Sequence, residues 1–106
     1  MPDRIRTQAE LDAALASERF LLFKHSTRCP ISAAAFGEYQ SWSRAHPAEA
    51  TGWVDVVADR ELSLSVARRT GVKHESPQAI VVRGGKAVWD ESHGAITKAT
   101  LEEGMG

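Results

Sequence analysis

The stretch that decides the fold is "FLLFKHSTRCPIS", residues 20–32. Phe20 to Lys24 form a short apolar run bounded by polar residues, and that length suits a buried strand. Pro30 follows Cys29 directly. Proline is favoured at the first helical position, where its missing N–H costs nothing. Ile31, Ala35, Tyr39 and Trp42 then fall on one helical stripe, with Phe36 beside it. The stretch therefore predicts a strand that runs into a helix whose first turn carries Cys-Pro.

Upstream, Thr7 and Glu10 have capping-box spacing and Leu11 and Leu15 share a face, which predicts an N-terminal helix. Downstream, Pro47 lies beyond the end of the second helix. "WVDVV", Trp53 to Val57, reads as a second strand. Asp59 is placed to cap a helix through Leu62, Val66 and Ala67, with Gly71 as its stop. "AIVV" and "AVW", separated by "RGGK", predict a hairpin with positive φ in its turn. Thr97 begins a last short helix containing Leu101. The predicted order is helix, then strand–helix–strand–helix–strand–strand–helix. A parallel first crossover and an antiparallel hairpin give an α/β fold with a mixed four-stranded sheet and an extra N-terminal helix.

The 106 residues are expected to form a single domain, 1–106. A net charge of -1 favours neither nucleic acid nor a membrane surface as partner. No apolar run approaches a spanning helix or a signal peptide. With one cysteine an internal disulfide is impossible, and the expected compartment is the reducing cytoplasm.

Cys29 taken alone reads as a small buried apolar residue. Its position between a strand end and a helix start reverses that reading. Free N–H groups and the positive helix end favour a thiolate there, and the thiolate is the nucleophile. Lys24, His25 and Arg28 lie close in sequence and act in the same direction. Ser32 stands where a second cysteine would complete a Cys-x-x-Cys pair. A serine cannot attack a mixed disulfide; it is expected to donate a hydrogen bond to the thiolate. Resolution must then come from an outside thiol. Pro77, in "HESPQAI", enters a strand. His25 and His74 flank the expected site, while His93 beside Gly94 suggests a loop. The histidines and the single cysteine lack zinc-ligand spacing, so no metal is expected. Gly84-Gly85 reads as a turn, and Trp42, Trp53 and Trp89 as core or core-edge residues.

"FLLFKHSTRCPIS", "GVKHESPQAIVV" and "AVWDESH" followed by "IT" resemble the YtxJ-like monothiol bacilliredoxins, from about Phe20 to Thr97. The Thr-x-Cys-Pro-Ile-Ser string, with Thr27, and the Lys-His-Glu-Ser-Pro-Gln string carry the likeness. The resemblance implies a thioredoxin-like fold with Pro77 cis and facing the thiol, and the backbone of Ser76 pairing with bound ligand. It implies removal of bacillithiol, a small thiol, from capped client proteins through a Cys29–bacillithiol mixed disulfide. Cys29, Pro30, Ser32, Ser76 and Pro77 carry over residue by residue. Lys24, His25, Arg28, Lys73 and His74 are candidate contacts for bacillithiol's carboxylates, inferred from proximity. Bacillithiol is expected as co-substrate, with no resident cofactor, and the protein as a monomer. Two alternatives remain open. One is a glutathione-using monothiol glutaredoxin with a bridged iron–sulfur cluster, ranked lower because Cys-Pro-Ile-Ser replaces that family's Cys-Gly-Phe-Ser. The other is a thioredoxin-like binding module with an inert cysteine.

Overall fold

Every residue from Phe20 to His25 is buried, and that strand becomes the centre of the sheet. The computed structural model describes residues 2–106. In chain order its elements are β1 (Asp3–Arg4), α1 (Gln8–Leu15), β2 (Arg19–His25), α2 (Pro30–Ala45), β3 (Thr51–Asp55), α3 (Arg60–Thr70), β4 (Gln78–Arg83), β5 (Lys86–Ser92) and α4 (Lys98–Met105). A 3-10 turn, His93–Ala95, precedes α4. The five-stranded sheet has the order β1-β3-β2-β4-β5. β2 pairs parallel with β3 and antiparallel with β4, and β4 pairs antiparallel with β5.

Successive residues of a strand face opposite sides, so β2 feeds two cores. Phe20 and Leu22 join Ile80, Val82 and Val54 under α1 and α3. Leu21 and Phe23 join Ala79 and Val81 under α2 and α4, where Tyr39 and Trp42 are fully buried. Local signals hold the helix ends. Thr7 and Glu10 form the expected capping box, Thr97 caps α4, and Gly71 closes α3 at φ 74°. Gly84 and Gly85, at φ 58° and 82°, make the hairpin turn.

Three expectations need correction. The sheet has five strands rather than four, because Asp3–Arg4 pairs with the outer edge of β3. A two-residue strand leaves no periodicity to read. Its one trace is Gly52, where a Cβ would lie 3.1 Å from the Asp3 carbonyl oxygen. The second strand is Thr51–Asp55 rather than Trp53–Val57. The Asp55 carboxylate accepts from the N–H groups of Val57 and Ala58 and turns the chain there. Asp59 does sit at the N-cap of α3, but its carboxylate binds Arg4 at 2.9 Å and makes no cap bond.

Lys24 is the exception in the apolar interior. Strand alternation turns it to the α1/α3 side, where it is fully buried. Its ammonium donates to Gln78 Oε1 at 3.2 Å, and Gln78 Nε2 donates to the Lys73 carbonyl at 2.9 Å. Burial pulls its pKa down to about 8, partly opposed by the Glu75 carboxylate. An unfolded lysine titrates at about 10.4. Between those values the unfolded chain holds a proton that the folded chain has released, so the Lys24 contribution to stability rises with pH. The buried charge costs on the order of 3 kcal/mol below pH 8. Lys24→Met removes this term. Urea denaturation at pH 7 and pH 10 should show the native protein gaining about 2–3 kcal/mol relative to the variant. A difference that stays constant with pH would contradict the assignment.

Candidate active site

The end of β2 and the start of α2 are joined by Ser26, Thr27, Arg28 and Cys29. Cys29 N–H bonds to the Ser26 carbonyl at 3.3 Å, which tightens this connection into a turn. Cys29 is the N-cap of α2 and Pro30 its first helical residue. The first helical bond runs from Ala33 N–H to the Cys29 carbonyl at 3.0 Å. The N–H groups of Ile31 and Ser32 precede it, and Pro30 has none. The start of α2 therefore carries two backbone N–H groups without helical partners next in sequence to a half-buried Cys29, whose side chain makes no cap bond to them.

Ser32 is placed differently from the expectation. It is fully buried, and its Oγ accepts from the Ser26 N–H at 2.8 Å. The same oxygen lies 2.8 Å from His25 Nδ1. Ser32 thus closes the connection between β2 and α2 from inside. The expected hydrogen bond to Cys29 is not formed, because the hydroxyl is engaged with His25 and Ser26.

His25 packs in a triangle with two aromatic rings, Phe36 and Trp53, which are themselves 5.0 Å apart. It stacks on Phe36 at 4.2 Å between centroids, and Trp53 meets it edge-on at 5.6 Å. Burial lowers its pKa, and Asp55, its register partner on β3, opposes that shift. Asp55 in turn lies 3.8 Å from Arg4, whose guanidinium covers Trp53 at 5.6 Å. Phe36, Trp53, Asp55 and Arg4 all bear on the site, and the sequence reading assigned none of them a role there. Their signal was tertiary: parallel pairing of β2 with β3 places His25 beside Asp55.

The segment from Gly71 to Gln78 leads into β4, where Gln78 pairs with Lys24 near the end of β2. The Ser76–Pro77 peptide is cis, as the resemblance implied. Pro77 is buried, while the Ser76 hydroxyl and His74 Nδ1 are buried atoms without a hydrogen-bond partner. Burial, then the Lys24 charge, lowers the His74 pKa; Glu75 opposes this and Arg60 adds to it. Glu75 is tied to His93 Nε2 at 3.0 Å, and His93 N–H bonds to the Pro77 carbonyl at 3.0 Å. His93, expected in a loop, lies in the 3-10 turn at φ 57° and braces this segment. Of the basic set, Lys24 and His25 are buried and already bonded, whereas Arg28 and Lys73 are exposed and His74 is half-buried. Thr27 and Pro30 are exposed beside the thiol. Among the described residues no group of three or more His, Cys, Asp or Glu could hold a metal ion, and no helix is long and apolar enough to cross a membrane.

Comparison with known proteins agrees with this geometry. A solved structure described as having a thioredoxin fold superposes with a TM-score of 0.92 at 28% identity, covering 99% of this chain and 94% of that one. A thioredoxin from Malassezia sympodialis matches at 0.79 and 11% identity over 99% and 88% of the two chains. A mutant thioredoxin from Halobacterium salinarum matches at 0.77 and 16% identity over 98% and 87%. The last two speak for the fold alone. The family model described as "Monothiol bacilliredoxin BrxC" matches residues 3–101. With its thioredoxin-like fold and a single cysteine at the start of α2, the chain belongs to the monothiol bacilliredoxin family.

Proposed function

We propose that this protein is a thiol–disulfide oxidoreductase that removes bacillithiol from capped client proteins in the cytoplasm. The observation that carries the reading is the placement of Cys29 at the N-cap of α2, with Pro30 at N1 and no second cysteine in the chain. The Cys29 thiolate attacks the bacillithiol sulfur of a client–bacillithiol disulfide. That S–S bond breaks, the client leaves as a thiolate and takes a proton from water. A new disulfide holds bacillithiol on Cys29. A second bacillithiol thiolate, or a companion redoxin, then attacks the bound bacillithiol sulfur and Cys29 leaves as a thiolate. The electrons that reduce the client come from that second thiol. The protein needs no resident cofactor for either step.

Arg28, Lys73 and His74 are the basic residues open to a ligand, and they supply positive charge for bacillithiol's carboxylates. The backbone of Ser76, ahead of the cis Pro77, is the ligand-pairing edge. Lys24 and His25 act from beneath this surface, since both are buried.

Two experiments follow. Incubation with a bacillithiol-capped model protein should place bacillithiol on Cys29 and release reduced client, as read by intact-mass spectrometry. Free bacillithiol should then regenerate the starting mass, and Cys29→Ser should show no transfer. Client protein on Cys29 would reverse the assignment of the attacked sulfur, and absence of any adduct would refute the reading. The second uses Ser32→Cys. N-cap and N3 are the positions that face one another in a capping box, so this variant supplies an internal nucleophile. Loss of the Ser26 bond is expected to cost about 1–3 kcal/mol. Loaded with oxidised bacillithiol, the folded variant should expel it and settle at a mass two hydrogens below the reduced form. A lasting adduct would mean that positions 29 and 32 do not meet.

A further inference from the structure

Taking an ammonium out of water is costly, and Lys24 is fully buried on the central strand. Its register partners are Val54 on β3 and Gln78 on β4. The Val54 side chain has no polar atom. The ammonium turns to Gln78 and donates to Oε1 at 3.2 Å. An ammonium can only donate, whereas an amide can present either its oxygen or its nitrogen. Lys24 therefore dictates which way round the Gln78 amide stands. With the oxygen held toward Lys24, Nε2 is left to donate to the Lys73 carbonyl at 2.9 Å. We infer that Lys24 is a positioning residue: its ammonium orients the buried Gln78 amide, and that amide anchors the segment Lys73–Ser76 ahead of Pro77.

Residues 71–77 lie in neither helix nor strand, so no ladder of backbone bonds holds them. Side chains do so instead. From the core, the Lys24–Gln78 chain fastens Lys73. The Glu75 carboxylate attracts the same ammonium, so charge and hydrogen bonding pull the segment one way. From the turn after β5, His93 Nε2 meets the Glu75 carboxylate at 3.0 Å, and His93 N–H donates to the Pro77 carbonyl at 3.0 Å. Ser76 lies between these fastenings. An edge held in place before a ligand arrives binds it without a further ordering cost. The functional consequence rests on the reading of the Ser76 backbone as the ligand-pairing edge. The anchoring itself does not.

The test compares the native protein with Lys24→Met and Gln78→Glu. Methionine fills the core but cannot orient the amide. Glutamate keeps an oxygen for the ammonium but has no N–H for the Lys73 carbonyl. Backbone 15N relaxation needs no ligand. Order parameters at His74, Glu75 and Ser76 should stand at about 0.85 in the native protein and fall toward about 0.6 in both variants, with β2 and β4 unchanged. Native values in either folded variant would overturn the inference, and so would an equal fall in β2 and β4, which marks general loosening. Lys24→Met, which removes a buried charge, decides alone if Gln78→Glu does not fold. Turnover of a bacillithiol-capped client then reads the consequence: KM should rise several-fold in Lys24→Met while kcat stays within about twofold. An unchanged KM beside lowered order parameters would sink the role in the reaction. No transfer by the native protein would refute the proposed function instead, and the order parameters would still decide the anchoring.

Discussion

The contact on which the site depends is the hydrogen bond from the Ser26 N–H to the buried Ser32 hydroxyl. It ties the last residues of the central strand to the first turn of α2. With it, Cys29 is held as the N-cap, just ahead of the Ile31 and Ser32 N–H groups that no helical carbonyl can satisfy. The position that would carry a second cysteine in a dithiol enzyme therefore has a structural task of its own. One-cysteine chemistry and a rigid active-site turn follow from the same residue.

Around that turn the fold separates two kinds of polar group. Those on the α2 side of β2 (His25 and Ser32) are in contact with each other across the turn that carries Cys29. Lys24, one residue earlier, is turned by strand alternation into the opposite core and joined to Gln78 and the loop before the cis proline. Sequence proximity made Lys24 and His25 look like ligand contacts, and Ser32 a donor to the thiolate. Both Lys24 and His25 are instead buried, the first bonded to Gln78 and the second in contact with Ser32. Arg28 and Lys73 are exposed and His74 is half-buried.

Much of the fold was legible in the residues. The apolar run at Phe20, Pro30 after Cys29, the Thr7–Glu10 box, Gly71 and the Gly84-Gly85 turn are local signals, and each element they announced is present. What was not legible depended on contacts between distant residues. β1 exists only because β3 offers an edge and Gly52 leaves room for it. The early end of β3 follows from the Asp55 side chain capturing Val57 and Ala58. At the site, the motif located Cys29, Pro30 and Pro77. It could not show that the Ser32 hydroxyl faces inward, because that requires knowing what His25 meets across the turn.

A turn between β2 and α2 that activates Cys29 should make the thiol more reactive in the folded chain than in the unfolded one, although burial alone works the other way. Native and urea-unfolded protein contain the same single cysteine, so each chain is its own control. The decisive measurement is the rate of Cys29 alkylation by iodoacetamide at pH 7 in the two states, with the unfolded rate corrected for urea. The account predicts the native thiol to react several-fold faster, despite being half-buried. A native rate equal to or below the unfolded rate would contradict it.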